Sequence, residues 1–120
     1  MDIETFRNYC ISKKGVTEEL PFGPDTLVFK VMGKMFALAA LDKVPLFVNL
    51  KCDPERAMEL RETYESHILP GYHMNKKNWN SLILDGQINP SLVFELTDHS
   101  YDLVVQGLPK KLQQELEIIK

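Results

Sequence analysis

The sequence of 120 residues has only two cysteines, Cys10 and Cys52, too few for a disulfide framework and without CxxC spacing. Both read as small core residues in a reducing compartment, although the spacing leaves a bond between them open. Long apolar runs are missing too. The longest covers residues 35–41, far short of a membrane span, and the N-terminal Met-Asp-Ile-Glu has no basic n-region. A cytoplasmic protein without membrane attachment is therefore expected. Nor is there an excess of positive charge: a net charge of −3 argues against a protein that coats nucleic acid by bulk attraction. Repeats and low-complexity segments are absent, and 44% hydrophobic with 26% charged residues fits one folded domain over residues 1–120.

Catalytic signatures are lacking as well. Gly15, Gly23 and Gly33 stand alone, so no glycine loop can cradle a phosphate. Ser100, Tyr101 and Asp102 are adjacent on a predicted helix, where neighbouring side chains point apart, and no strained nucleophile turn precedes them. Tyr101 and Asp102 are better placed to fix that helix to its neighbour. His67, His73 and His99 show no HxxxH or HExxH spacing. His99 reads as a hydrogen-bonded core histidine. These absences point to a non-enzymatic protein with no metal and no cofactor.

Periodicity and caps divide the chain. Asp2 caps a helix over residues 3–13, with Ile3, Phe6 and Cys10 inward and Gly15 as its stop. Residues 16–25, with two prolines and a glycine, form a connector. Strands follow over residues 27–32, 35–41 and 44–50, joined by tight turns at Gly33-Lys34 and Asp42-Lys43. Asp53-Pro54 starts a second helix, combining a cap with proline at the first helical position, and the helix runs to about residue 65. Two short strands over residues 68–74 and 79–84 flank a polar, basic tip, Asn75-Lys76-Lys77-Asn78. Asn89-Pro90 opens a third helix that places Leu92, Leu96, His99 and Leu103 on one face, with a break near Thr97-Asp98. Gly107 stops it, and Pro109 opens a last short helix. The order α-β-β-β-α-β-β-α-α, with tight turns between consecutive strands, implies an α+β fold: an antiparallel sheet packed against helices.

The charges segregate along this order. Residues 26–52 carry +3 and residues 66–84 carry +2, whereas the three remaining segments carry −2, −3 and −3. The two positive blocks are the predicted strands. Lys30, Lys34, Lys43 and Lys51 come from the first block, and Lys76 and Lys77 from the tip. If they share a face, six ammonium groups form one patch, although edge lysines also block strand-to-strand aggregation. Around the tip, His73, Asn75, Lys76, Lys77 and Trp79 combine phosphate neutralisers, amide donors and an aromatic ring that can stack on a base. A lone tryptophan also serves as a packing anchor.

Four stretches resemble the YjbR/MmcQ family of small bacterial proteins: Thr17-Glu-Glu-Leu-Pro-Phe-Gly23, Val28-Phe-Lys-Val-Met-Gly-Lys-Met-Phe-Ala37, Leu50-Lys-Cys-Asp-Pro-Glu55 and Gly71-Tyr-His-Met-Asn-Lys-Lys-Asn-Trp79. Ser100-Tyr-Asp-Leu-Val104, with Leu108-Pro-Lys-Lys111 after it, completes the likeness. The resemblance implies a fold similar to bacterial frataxin (CyaY-like) and a DNA-binding role through a double-wing motif. Frataxins use an acidic helix ridge for metal, of which Asp2, Glu4, Glu18 and Glu19 are only a thin counterpart. The expected partner is DNA, bound weakly and in a salt-sensitive way through phosphates. The alternative is a protein-interaction or small-ligand module whose acidic helices meet a partner.

Overall fold

A computed structural model describes residues 1–119; Lys120, the last residue of the expected domain, lies outside the described residues. The elements are α1 (Ile3–Ile11), β1 (Val16–Glu19), β2 (Thr26–Val31), β3 (Lys34–Ala40), β4 (Leu46–Lys51), α2 (Pro54–Thr63), β5 (Ile68–Pro70), β6 (Trp79–Leu84), α3 (Pro90–Gln106) and α4 (Lys110–Glu117). All six strands join one antiparallel sheet in the order β1-β2-β3-β4-β6-β5. The α+β class is as the sequence implies. The expected order is not, because a strand lies inside the residues 16–25 connector.

That strand, β1, reads Val-Thr-Glu-Glu and has one apolar residue, so it carries no hydrophobic alternation to detect. It sits at the sheet edge, pairs only with β2, and its glutamates keep the edge from recruiting another strand. Other boundaries also move. The β2–β3 turn is Met32-Gly33, with φ of 49° and 86°, the left-handed pair of a two-residue hairpin, so Lys34 belongs to β3. The β3–β4 connection spans residues 41–45 instead of two residues, and its Val44–Pro45 bond is cis. β5 stops at Pro70, which turns residues 71–78 into a loop rather than a strand and a tight tip.

Both cap-plus-proline starts form as expected: Asp53 accepts from the Arg56 N–H and Asn89 from the Ser91 N–H. The inward face of α3 differs. It is Val93, Leu96, Thr97, Ser100 and Val104; of the expected Leu92, Leu96, His99 and Leu103 only Leu96 is fully buried, and the helix is continuous through Thr97-Asp98. Small hydroxyl residues let α3 lie close to the sheet. Thr97 donates to the Val93 carbonyl, while Ser100 donates to the Phe36 carbonyl at 2.5 Å and accepts the Lys51 N–H at 2.9 Å. One hydroxyl thus joins α3 to β3 and β4. His99 lies at the margin and accepts the Asp53 N–H at 3.1 Å.

All four helices contribute to one core against one sheet face, where Phe6, Cys10, Ala57, Leu60, Val93, Leu96 and Leu116 meet Phe29, Phe36, Val48, Leu50 and Leu82. Both cysteines are buried there as free thiols; desolvation pushes Cys10 up to about 12 and Cys52 to about 11. Among the described residues no helix is long and apolar enough to cross a membrane. Replacing Ser100 by Ala leaves the Lys51 amide and the Phe36 carbonyl without this partner. Urea unfolding is expected to show a loss of about 1–3 kcal/mol with an unchanged m value. A loss near zero would remove the hydroxyl as the link between helix and sheet.

Candidate nucleic-acid interface

The sheet has a second face. Alternation and register place Thr26, Val28 and Lys30 of β2 beside Leu38 and Ala40 of β3, Phe47, Asn49 and Lys51 of β4, and Trp79 and Ser81 of β6. These side chains point away from the helix layer. Val28, Leu38 and Trp79 form a small second core, with Met35 and Met74 packed against it. What covers them is the residues 71–78 loop, not a helix.

That loop is held at both ends. Gly71 donates to the Trp79 carbonyl at 2.8 Å, and the Tyr72 N–H donates to Ser81 Oγ at 2.9 Å. Ser81 Oγ donates in turn to Asn49 Oδ1, and Asn49 Nδ2 donates to the Tyr72 carbonyl at 3.2 Å. From the helix side, Arg61 of α2 donates to Asn80 Oδ1 at 2.7 Å, to the Trp79 carbonyl at 3.2 Å and to the Lys76 carbonyl. Asn75 caps its own turn by accepting the Lys77 N–H at 3.0 Å. A Cβ on Gly71 would stand 2.7 Å from Trp79 Cβ and 2.9 Å from the Trp79 carbonyl oxygen, so glycine is required at that close approach. His73 adopts φ 60°, unusual for a residue with a side chain, and its ring centroid lies 4.0 Å from that of Tyr72.

Between this loop and the opposite connections lies a cleft of about 840 Å³. Its floor is Met35, Leu38, Phe47 and Trp79. Tyr72, His73 and Asn75 form one wall, and Phe22, Asp25, Asp42 and Lys43 form the other. The volume is in the range of pockets that enclose a small molecule, and the lining is mostly apolar with a few polar groups. Phe22 is 65% and Tyr72 56% exposed, whereas Trp79 is 8% exposed. The tryptophan is therefore a packed floor, and the accessible rings are Phe22 and Tyr72.

The lysines distribute less simply than the charge blocks suggest. Lys30 lies on the open face, but its Nζ is 2.8 Å from Glu19 Oε2. Lys34 pairs with Val31 at the hairpin end, on the helix side by register. Lys43 lines the cleft together with Asp25 and Asp42. Lys51 pairs with Trp79 on the open face, and Lys77 is exposed at the tip; among the described residues neither makes an ion pair. Lys76 folds back to donate to the Gly71 carbonyl at 3.3 Å. His73 and Asn75 line the cleft as well. The structure thus gathers Lys43, Lys51, His73, Asn75 and Trp79 about one face, leaves out Lys34, and puts Lys77 at the exposed loop tip. It occupies Lys30 and Lys76 in internal contacts.

Sequence reasoning missed Phe22, Asp25, Asp42 and Tyr72, which sit on connections whose course no periodicity encodes. It also missed Arg61 and Asn80, whose part depends on α2 and β6 meeting. The tight packing at Gly71 makes Gly71→Ala a direct check. A loss of about 1–3 kcal/mol in urea unfolding is expected, with a red shift of Trp79 emission as the loop lifts. Wild-type stability and emission would show that the loop does not clamp the ring.

The YjbR family model matches residues 11–103. An Escherichia coli O157:H7 protein, uncharacterized protein YbdF, is 46% identical over 95 residues, covering 78% of this chain and 76% of that protein. Uncharacterized protein YjbR of Escherichia coli K12 is 32% identical over 111 residues, 92% of this chain and 93% of its own length. Among solved structures, a Deinococcus radiodurans protein of the DUF419 family-model domain superposes with a TM-score of 0.91 at 40% identity, covering 96% of this chain and 87% of that one. A Pseudomonas syringae protein superposes with a TM-score of 0.72 at 26% identity over 86% of this chain and 98% of its own. With the family model matching most of the chain and relatives of this identity and coverage, this chain belongs to the YjbR family.

Proposed function

We propose that this chain is a cytoplasmic, non-enzymatic DNA-binding protein, and that it holds unpaired bases on the helix-free sheet face. The observation that carries the reading is the pairing of exposed rings at the cleft with lysines that make no ion pair among the described residues, on the open face and at the loop tip. Phe22 and Tyr72 flank the cleft, Lys51 lies on the same sheet face by its pairing with Trp79, and Lys77 is exposed at the loop tip. Aromatic rings that stack successive bases, beside ammonium groups that meet phosphates, are the parts that single-strand binding requires. A duplex keeps its bases stacked inside and is held mainly by phosphate contacts, which two or three accessible lysines supply poorly. The reading includes the frataxin-like architecture implied by the resemblance. A helix layer on one face of an antiparallel sheet, with the other face open, supports it.

The stiff tip favours this use. Arg61, Asn75 and Gly71 fix the residues 71–78 loop in advance, so little ordering entropy is lost when a strand arrives. The competing reading, a module whose acidic helices meet a protein partner, requires no nucleic acid on the open face.

A labelled single-stranded decamer, titrated at several salt concentrations by fluorescence anisotropy, separates the two. Binding is expected to weaken with a log–log salt slope of about −1.5 to −2, corresponding to two or three phosphates on a single strand. Lys77→Ala should lower the magnitude of that slope by about 0.7, and Tyr72→Ala should cost about 1–3 kcal/mol with the slope kept. Absence of binding at low salt would overturn the proposal in favour of the protein-partner reading.

A further inference from the structure

The apolar and polar parts of the cleft lie at different depths, and this decides what it can distinguish in a base. Leu38 and Trp79 of the floor are buried, and Met35 and Phe47 are half-buried. Their side chains are carbon and sulfur apart from the indole N–H of Trp79. Asn49, a polar residue of the same lining, has both amide atoms engaged, on Ser81 and on the Tyr72 carbonyl. The rim is different. Tyr72, His73 and Asn75 on the loop side and Asp25, Asp42 and Lys43 opposite are all exposed, so donors and acceptors stand in water on both walls. Among the described residues no buried side-chain polar atom lacks a partner. A site rejects the wrong hydrogen-bonding edge strongly when that edge leaves a buried polar group unpaired. This cleft has no such group.

Resting on the single-strand reading above, we infer that the cleft ranks pyrimidines by the apolar surface they bring to its floor and is indifferent to their hydrogen-bonding edge. Thymine then stands above uracil, and 5-methylcytosine above cytosine. Thymine and uracil have the same donors and acceptors and differ only in the C5 methyl, the group that proteins meet with apolar side chains. Met35, Leu38 and Phe47 are such side chains, and water wets whatever part of them the loop leaves uncovered. Covering one methyl there is worth about fourfold in affinity. Thymine and 5-methylcytosine share that methyl but carry opposite groups at C4, a carbonyl against an amino group. A solvated rim with donors and acceptors on both walls accepts either, and the Trp79 N–H finds an O2 acceptor in both. Stacking on Phe22 and Tyr72 is common to all four bases. The preference therefore falls on a group that thymine has and the uracil of RNA lacks.

The experiment titrates the chain with four labelled deoxyribose decamers, of thymine, uracil, cytosine and 5-methylcytosine, at pH 7.5 and low salt. Each methylated strand is expected to bind about fourfold more tightly than its unmethylated counterpart. The thymine and 5-methylcytosine strands should agree within about twofold, because they differ only in the edge. Met35→Gln puts an amide into the floor at a half-buried position, and far-UV circular dichroism verifies its fold. In that variant the methyl preference should fall below about twofold. Equal binding of the thymine and uracil strands by the wild type would overturn the inference while leaving the DNA-binding reading intact. So would a gap between thymine and 5-methylcytosine larger than the methyl effect, since the edge would then be read. An undiminished methyl preference in a folded Met35→Gln variant would overturn it too, by placing the methyl contact away from this floor. Failure of the wild type to bind any of the four strands would overturn both.

Discussion

One-sided burial organises this molecule. Four helices bring their apolar residues to a single face of a six-stranded sheet, and the hydroxyl of Ser100 fastens the longest of them to two central strands. A sheet with one face so occupied must do something with the other. Here the second face is apolar in its middle, where Val28, Leu38 and Trp79 would otherwise meet water. Exposing that much apolar surface is costly, and only a well-anchored loop offsets part of it. The loop shields the floor incompletely, and the incomplete cover is the cleft. The cleft follows from the architecture before any particular side chain at its rim is considered.

The anchoring of that loop explains why it can serve as a rigid wall. Ser81 and Asn49 rise from the sheet to hold Tyr72, while Arg61 reaches from α2 to hold the backbone at Lys76 and Trp79. Arg61 and Asn80 carry polar groups into the interior and are satisfied there, and no buried side-chain polar atom among the described residues is left unpartnered. The left-handed conformation of His73 belongs to the same arrangement, because it turns the chain at the rim next to Tyr72.

Much of this was legible in the sequence where the signal is local. Asp53-Pro54 and Asn89-Pro90 announce helix starts because a cap and a fixed φ act within a single turn. The apolar run that became β3 shows burial on both faces, as its position inside the sheet requires. Strand β1 was illegible because an edge strand needs charge more than hydrophobicity. The inward face of α3 was misplaced because Thr97 and Ser100 look polar in sequence, and their hydrogen bonds to backbone become visible only in three dimensions. For the site, the tip's residue types were readable but their geometry was not. Charge counting cannot tell that Glu19 neutralises Lys30, or that Lys76 bends back while Lys77 remains in solvent. The exposed rings of Phe22 and Tyr72 lie on irregular connections, where side-chain direction is set by long-range contacts.

The proposed nucleic-acid site is the helix-free face of the sheet. Two-dimensional ¹H–¹⁵N NMR of the labelled chain, with a short single-stranded oligonucleotide added at low salt, locates the contact without assuming any residue's role. Binding at that face is expected to concentrate shifts at residues 22–26 and 42–43, at Asn49 and Lys51, and along residues 72–79, with the outward faces of α2 and α4 unmoved. Shifts centred on those helices, or a spectrum unchanged at millimolar oligonucleotide, would contradict it.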